Sequence, residues 1–128
     1  MDSLVIVDAA NVVGSVPDGW WRDRHGAAER LRDALPEYVD NGLPGLVALP
    51  LEMVLVVEGA ARGVASVEGV RVESAGGSGD DRIVELVAAE GGGRDCLVVT
   101  ADRALRERVE ALGARVTGPR AVWGRRRT

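Results

Sequence analysis

The 128-residue sequence contains no lysine and no phenylalanine, and it has a single cysteine and a single histidine. With Cys96 alone, an intramolecular disulfide is excluded, and a reducing cytosol is the expected compartment. The absence of lysine excludes a phosphate-binding loop that ends in Gly-Lys-Ser/Thr. It also argues against a phosphatase or phospho-acceptor site built on Asp8, because such sites rely on a lysine to bind the phosphoryl group.

Long apolar runs are missing as well. The run near the N-terminus comprises four residues, Leu4 to Val7, which is too short for a signal-peptide core or a membrane span. We therefore expect a cytoplasmic protein with no membrane partner.

The length is that of one domain, and 46% of the residues are hydrophobic. A domain of this size buries roughly two thirds of its unfolded surface and folds without a metal or disulfide. We place the domain at residues 1–119 and a basic C-terminal tail at 120–128, where Arg125 to Arg127 end the chain.

Apolar segments predict strands at regular intervals along the chain. Residues 3–8, 53–58 and 96–100 are continuous apolar runs, typical of strands buried on both faces of a parallel sheet. Residues 69–74 alternate and predict a more exposed strand, and 114–117 predict a short last one.

The segments between the strands have helical spacing or loop composition. Helices are predicted at 25–39 (with a break or restart at Pro36), from Asp80 to about 91, and at 102–112. Residues 11–23, with their glycines and proline, predict a loop. Strands that alternate with helices indicate an α/β fold: a single domain with an open, mostly parallel sheet flanked by helices.

Polar residues follow the predicted strands. Because the carboxyl ends of parallel strands share one edge of a sheet, these side chains should converge there. They are Asp8, Glu58, Asp80 with Asp81, Thr100 and Asp102. Taken singly, Asp80 and Asp102 also suit helix N-caps, and Glu58 suits a surface position.

Carboxylates that converge in this way repel one another, and a hard divalent cation relieves the repulsion. Mg²⁺ or Mn²⁺ held by carboxylates activates water for the hydrolysis of a phosphodiester. The acidic positions therefore predict a Mg²⁺ or Mn²⁺ site with one or two ions.

Four short motifs occur in order between residue 3 and about 117. They are Val5-Ile-Val-Asp8-Ala-Ala-Asn11, Val56-Val-Glu58-Gly59, Gly79-Asp80-Asp81-Arg82-Ile83 and Val98-Val-Thr100-Ala-Asp102. The set resembles the PIN-like superfamily of metal-dependent nucleases, and most closely its NYN branch, with a three-layer Rossmann-like fold.

The resemblance implies a ribonuclease whose acids bind one or two Mg²⁺ or Mn²⁺ ions. Asp8 would be the central metal ligand, and Asn11 would orient water or a ligand. Asp80 or Asp81 would complete the site together with Asp102, and Thr100 would support it. Glu58 departs from the family pattern, in which an Asp is commoner.

Aromatic and basic residues near these motifs are candidates for RNA contact. Trp20, Trp21 and Arg22 lie in the predicted loop after Asn11, where tryptophans suit stacking on unpaired bases and arginines suit phosphates. Folding of one tryptophan onto the core is the alternative, so we expect one buried and one available. Arg62, Arg82 and Arg103 follow the acidic positions, where an exposed helix start is the alternative explanation for each.

The formal charge of −4 does not exclude an RNA partner. Without the five candidate acidic ligands, the chain has 16 basic and 15 acidic residues. The sequence thus favours a metal-dependent ribonuclease in RNA processing or turnover. The alternative is a non-catalytic RNA-binding or protein-interaction module with the same fold, and a homodimer is compatible with either.

Overall fold

The first apolar run forms the central strand of the sheet in a computed structural model that describes residues 2–124. This strand, β1, spans Ser3–Asp8. Side chains alternate along a strand, so Val5 and Val7 lie on one face while Leu4 and Ile6 lie on the other, and all four are fully buried. Both faces of the sheet are therefore covered, as the continuous apolar pattern predicts.

Four further strands in the described part of the chain complete the sheet: β2 (Leu51–Val57), β3 (Val70–Ser74), β4 (Cys96–Val99) and β5 (Arg115–Thr117). Their order is β3-β2-β1-β4-β5, and each neighbouring pair is parallel. The predicted mostly parallel sheet is confirmed. Strands β2 and β3 extend the sheet on one side of β1, and β4 and β5 extend it on the other. The switch point of the topology therefore lies between β1 and β4, and this is where ligands bind in open α/β sheets.

Helices form the two outer layers. They are α1 (Ala9–Gly14), α2 (Arg24–Ala34), α3 (Pro36–Asn41), α4 (Gly79–Glu90) and α5 (Arg103–Glu110). The buried side chains of α1 and α2 belong to one core cluster, and those of α4 and α5 belong to the cluster on the opposite face. Pro36 restarts the helix as predicted. No helix within residues 2–124 is long and apolar enough to cross a membrane.

The prediction of a loop over residues 11–23 is wrong for residues 11–14, which belong to α1. Asp8 caps α1 by accepting a hydrogen bond from the Asn11 amide, and Ala9, Val12 and Val13 of that helix are buried. The glycines and proline that suggested a loop lie at or beyond the end of α1. Within the remaining loop, Trp20–Arg22 form one turn of 3₁₀ helix.

The packed chain continues beyond residue 119, the predicted end of the domain. Pro119–Ala121 form a 3₁₀ turn, and Val122, only 3% exposed, packs in the same cluster as α1 and α2. Part of the predicted tail therefore belongs to the core. Arg125 to Arg127 lie outside the described residues.

The contact between α5 and the sheet gives a direct test of this packing. Leu105 is fully buried between α5 and the sheet, whereas Leu112 just beyond α5 is 49% exposed. We expect Leu105→Ala to lower the free energy of unfolding by about 2–5 kcal/mol, because truncation leaves a cavity. Leu112→Ala should stay within about 0.5 kcal/mol of the wild type. Urea denaturation measures both values, and equal losses would contradict the packing described.

Candidate metal-binding active site

The site begins at the two strand ends that flank the switch point. Asp8 ends β1 and Thr100 follows β4, and their exposures are only 3% and 2%. The Thr100 hydroxyl donates a hydrogen bond of 2.9 Å to Asp8 Oδ2. Asp8 Oδ1 accepts the Asn11 amide at 3.4 Å. Both carboxylate oxygens of Asp8 are thus held by neighbouring elements.

Asn11 and Asp102 join the same network from either side. Asn11 Oδ1 accepts the Ala101 amide at 2.8 Å, which ties α1 to the segment after β4. The Asp102 amide donates to Thr100 Oγ1 at 3.1 Å, so the proton of the Thr100 hydroxyl is directed toward Asp8. Asp102 Oδ1 accepts the Leu105 amide at 3.0 Å and caps α5. The cap expected for Asp102 is present, and the same side chain also borders the site.

Acidic side chains from four separate segments line one small pocket at this edge. Its volume is about 260 Å³. The lining residues are Asp8, Ala10, Asn11, Glu58, Asp80 and Asp102. An added Cβ at Gly79 would lie 2.8 Å from Glu58 Oε1, so a side chain at that position would displace the Glu58 carboxylate.

Asp81 lies outside this pocket. Its side chain is 68% exposed and forms a 3.0 Å ion pair with Arg108 of α5. The N-cap of α4 is Ser78, which accepts the Asp81 amide, and not Asp80 as considered from the sequence. Of the two adjacent acids, the structure therefore brings Asp80 to Asp8 and turns Asp81 toward Arg108.

Burial and like charge act together on Asp8 and Asp80. Burial raises the pKa of Asp8 from 3.8 to about 6, the bonds from Thr100 and Asn11 oppose the increase, and the charges of Asp80 and Glu58 add to it. The pKa of Asp80 is also raised, first by burial and then by the charges of Asp102 and Glu58. No lining residue is cationic.

A hard divalent cation fits this donor set. In the part of the chain that the structure describes, no three His, Cys, Asp or Glu side chains are grouped closely enough to hold a metal ion. However, Mg²⁺ usually keeps several waters and needs only one or two protein carboxylates. The four carboxylates of the lining and the raised pKa values of Asp8 and Asp80 suit such an ion, because its charge would favour the ionised carboxylates.

An apolar cleft adjoins the acidic pocket and shares Ala10 and Glu58 with it. Its volume is about 320 Å³. The lining residues are Ala9, Ala10, Val13, Trp20, Arg24, Ala28, Glu58, Gly59 and Ala61. The cleft extends from the carboxylates toward α2 and the tryptophan turn.

The two tryptophans occupy different environments. Trp20 is partly buried and packs against the core, whereas Trp21 is 51% exposed and lies outside the lining of the cleft. Their rings meet edge to face at 5.8 Å, and the Arg22 guanidinium lies 6.0 Å from the Trp21 ring centre. Of the one buried and one available tryptophan that the sequence predicts, Trp21 is the available one, whereas Trp20 is only partly buried.

The remaining basic candidates differ in how far their charge is neutralised. Arg82 forms ion pairs with Glu73 at 2.6 Å and Glu85 at 3.3 Å. Arg62 is exposed and donates to backbone carbonyls of Gly59 and Gly76. Arg103 is exposed at the start of α5.

Arg24 is the residue that sequence reasoning did not select for the site. It opens α2, and its guanidinium lies 5.1 Å from the Trp20 ring centre. Asp23 caps α2 by accepting the Gly26 amide, which fixes where that helix starts. The available signal was the sequence Trp20-Trp21-Arg22-Asp23-Arg24, in which a helix cap directly precedes the arginine.

Comparison with known proteins identifies the fold and leaves the family open. No family model matches the chain, and no curated protein matches its sequence. The structure resembles a solved one.

The solved structure is Rae1 (YacP) from Bacillus subtilis. The match has a TM-score of 0.74 and 20% sequence identity, and it covers 95% of this chain and 72% of Rae1. At this identity the likeness establishes the three-layer α/β fold alone.

The raised pKa of Asp8 predicts an unusual dependence of stability on pH. The folded chain holds the Asp8 proton more tightly than the unfolded chain between about pH 4 and 6, so ionisation of Asp8 lowers the free energy of unfolding as the pH rises. Asp8→Asn removes this contribution. In EDTA, we expect the stability of Asp8→Asn relative to the wild type to increase by about 1–3 kcal/mol from pH 4 to pH 7.

Urea denaturation at several pH values measures the difference. Asp95→Asn is the matched control, because Asp95 is exposed and paired with Arg115 before the start of β4. Between pH 4 and pH 7, the stability of Asp95→Asn relative to the wild type should change less than that of Asp8→Asn. A stability difference between Asp8→Asn and the wild type that does not change with pH would contradict the proposed burial of charge.

Proposed function

We propose that the chain is a metal-dependent ribonuclease of the PIN-like type, NYN branch, that hydrolyses RNA phosphodiester bonds in the cytoplasm. The observation that carries the proposal is the buried Asp8 carboxylate at the switch point, with Glu58, Asp80 and Asp102 around the same pocket. Such a set of acids lowers the stability of the fold when no cation is bound. With a cation bound, the same acids would support hydrolysis by an activated water.

The roles follow from the contacts of each residue. Asp8 would hold Mg²⁺ or Mn²⁺ together with Asp80 or Asp102, and Glu58 also lines the pocket. The ion, when bound, would supply acidity to an attacking water and positive charge to the phosphate oxygens. Thr100 fixes the Asp8 carboxylate through its 2.9 Å hydrogen bond. Asn11 retains its amide NH₂ group for water or substrate, because its Oδ1 is engaged by Ala101.

RNA as the substrate is supported by the surroundings of the acidic pocket. Trp20 and Arg24 line the adjoining cleft, and Trp21 with Arg22 lies exposed beside them. Aromatic rings and arginines together suit unpaired bases and their phosphates. The motif order that resembles PIN-like nucleases agrees with this assignment.

A non-catalytic RNA-binding or protein-interaction module is the second candidate, and a specific observation favours it. Among the described residues no three acidic, histidine or cysteine side chains form a ready group for an ion. Asp8 and Asp102 also cap α1 and α5, so both have structural roles. A module of this kind would bind its partner equally well in EDTA and would not turn over RNA.

Cleavage of labelled RNA by the purified chain tests the proposal. With Mn²⁺ or Mg²⁺ we expect products from single-stranded or structured RNA, and EDTA should abolish them. Asp8→Asn should lower the rate by at least about 100-fold, since loss of a ligand costs at least as much as loss of a group that supports one. Asp80→Asn should lower the rate more than Asp81→Asn, because Asp81 lies outside the pocket.

Asp95→Asn is again the control for an acid remote from the pocket, and it should cleave like the wild type. The proposal fails if no RNA of the panel is cleaved with either ion, or if Asp8→Asn cleaves at the wild-type rate. RNA binding that is unaffected by EDTA, without turnover, would instead support the non-catalytic module.

A further inference from the structure

We infer that the apolar cleft beside the acidic pocket holds one unpaired nucleobase of the RNA, next to the phosphate to be cleaved. This inference rests on the proposed function for the position of that phosphate. It limits the substrate to RNA that presents an unstacked nucleotide at the cleavage site. The observation behind it is the continuity of the two cavities through Ala10 and Glu58.

The shape of the cleft suits a single flat ring. Small side chains form much of its lining, and Ala9, Ala28 and Ala61 are each at most 9% exposed. Its volume of about 320 Å³ is near the lower limit for ligand pockets, roughly 300 Å³. A base or nucleoside can enter a space of this size, whereas a base-paired stem cannot.

Trp20 supplies the aromatic surface of the cleft. Its packing against the core holds the ring in place before any ligand binds. Every base has a π-face, so stacking on such a ring is favourable for any sequence. We therefore expect selectivity for unpaired nucleotides and little preference among the four bases from this contact.

The charges at the two ends of the cleft also match a nucleotide chain. Arg24 lies over Trp20 at 5.1 Å, is exposed, and forms no ion pair with the residues that the structure describes. Arg24 lines the cleft and not the acidic pocket, so its guanidinium suits a phosphate other than the one beside the acids. At the other end, Glu58 borders the pocket in which a cation would meet the next phosphate.

Equilibrium binding tests the inference without requiring turnover. The protein is the full chain carrying Asp8→Asn in Mg²⁺, and the probe is a fluorescein-labelled single-stranded RNA of ten nucleotides. We expect a fully paired duplex of the same sequence to bind more weakly. Trp20→Ala should weaken binding of the single strand by about 5- to 150-fold, the range that stacking of one base implies.

Two further variants separate loss of stacking from loss of structure. Trp20→Phe keeps an aromatic ring and should retain most of the affinity that Trp20→Ala loses. Trp21→Ala removes an exposed ring outside the cleft, and its effect should be smaller than that of Trp20→Ala. The inference is overturned if Trp21→Ala weakens binding as much as Trp20→Ala, or if Trp20→Phe binds as weakly as Trp20→Ala.

An RNA duplex with one bulged nucleotide offers the cleft a single unpaired base, and an abasic nucleotide at the bulge removes that base. The abasic RNA should bind as weakly as the intact bulged RNA binds Trp20→Ala, and combining both changes should cost no more than either alone. Additive losses would overturn the inference. If this coupling is found and the wild type does not cleave RNA, the base cleft stands and the nuclease proposal fails. If the wild type cleaves RNA and the coupling is absent, the nuclease proposal stands and the base cleft fails.

Discussion

The hydrogen bond from Thr100 to Asp8 crosses the switch point between β1 and β4, and the geometry of the candidate site depends on this bond. It joins the ends of β1 and β4, two adjacent parallel strands, at 2.9 Å. The same hydroxyl accepts the Asp102 amide, and the same carboxylate accepts the Asn11 amide. One threonine thereby fixes the starts of α1 and α5 relative to each other, together with the acid at the centre of the pocket.

This arrangement places negative charge where water is largely excluded. The pKa of Asp8 rises to about 6 although two hydrogen bonds favour its ionised form, so burial and neighbouring charge outweigh them. Residues that serve the fold alone would not be expected to concentrate charge in this way. Because buried, mutually repelling carboxylates lower the stability of the fold, we assign to the pocket a cation that would neutralise them. The adjoining cleft, lined by Trp20 and Arg24, lies beside the position proposed for that cation.

Much of the fold could be predicted because its signals are local. Continuous apolar runs fixed β1, β2 and β4, and the rule that parallel strands end at one edge brought Asp8, Glu58, Asp80 and Asp102 together. Which of Asp80 and Asp81 enters the pocket could not be predicted, since it depends on the Ser78 cap and on Arg108, 27 positions beyond Asp81. Helix α1 was missed because its six residues are stabilised by the Asp8 cap and by burial rather than by a long periodic pattern. The contact of Arg24 with Trp20 depends on the path of a loop, which composition does not determine.

The central claim is that the pocket at the end of β1 binds a divalent cation through Asp8. A crystal of the wild-type chain soaked in Mn²⁺, with anomalous diffraction data, tests it most directly. We predict an anomalous peak within direct coordination distance of an Asp8 oxygen and of an oxygen of Asp80 or Asp102. Saturating Mn²⁺ with no peak at Asp8, or with peaks only at acids remote from the pocket, would contradict the account.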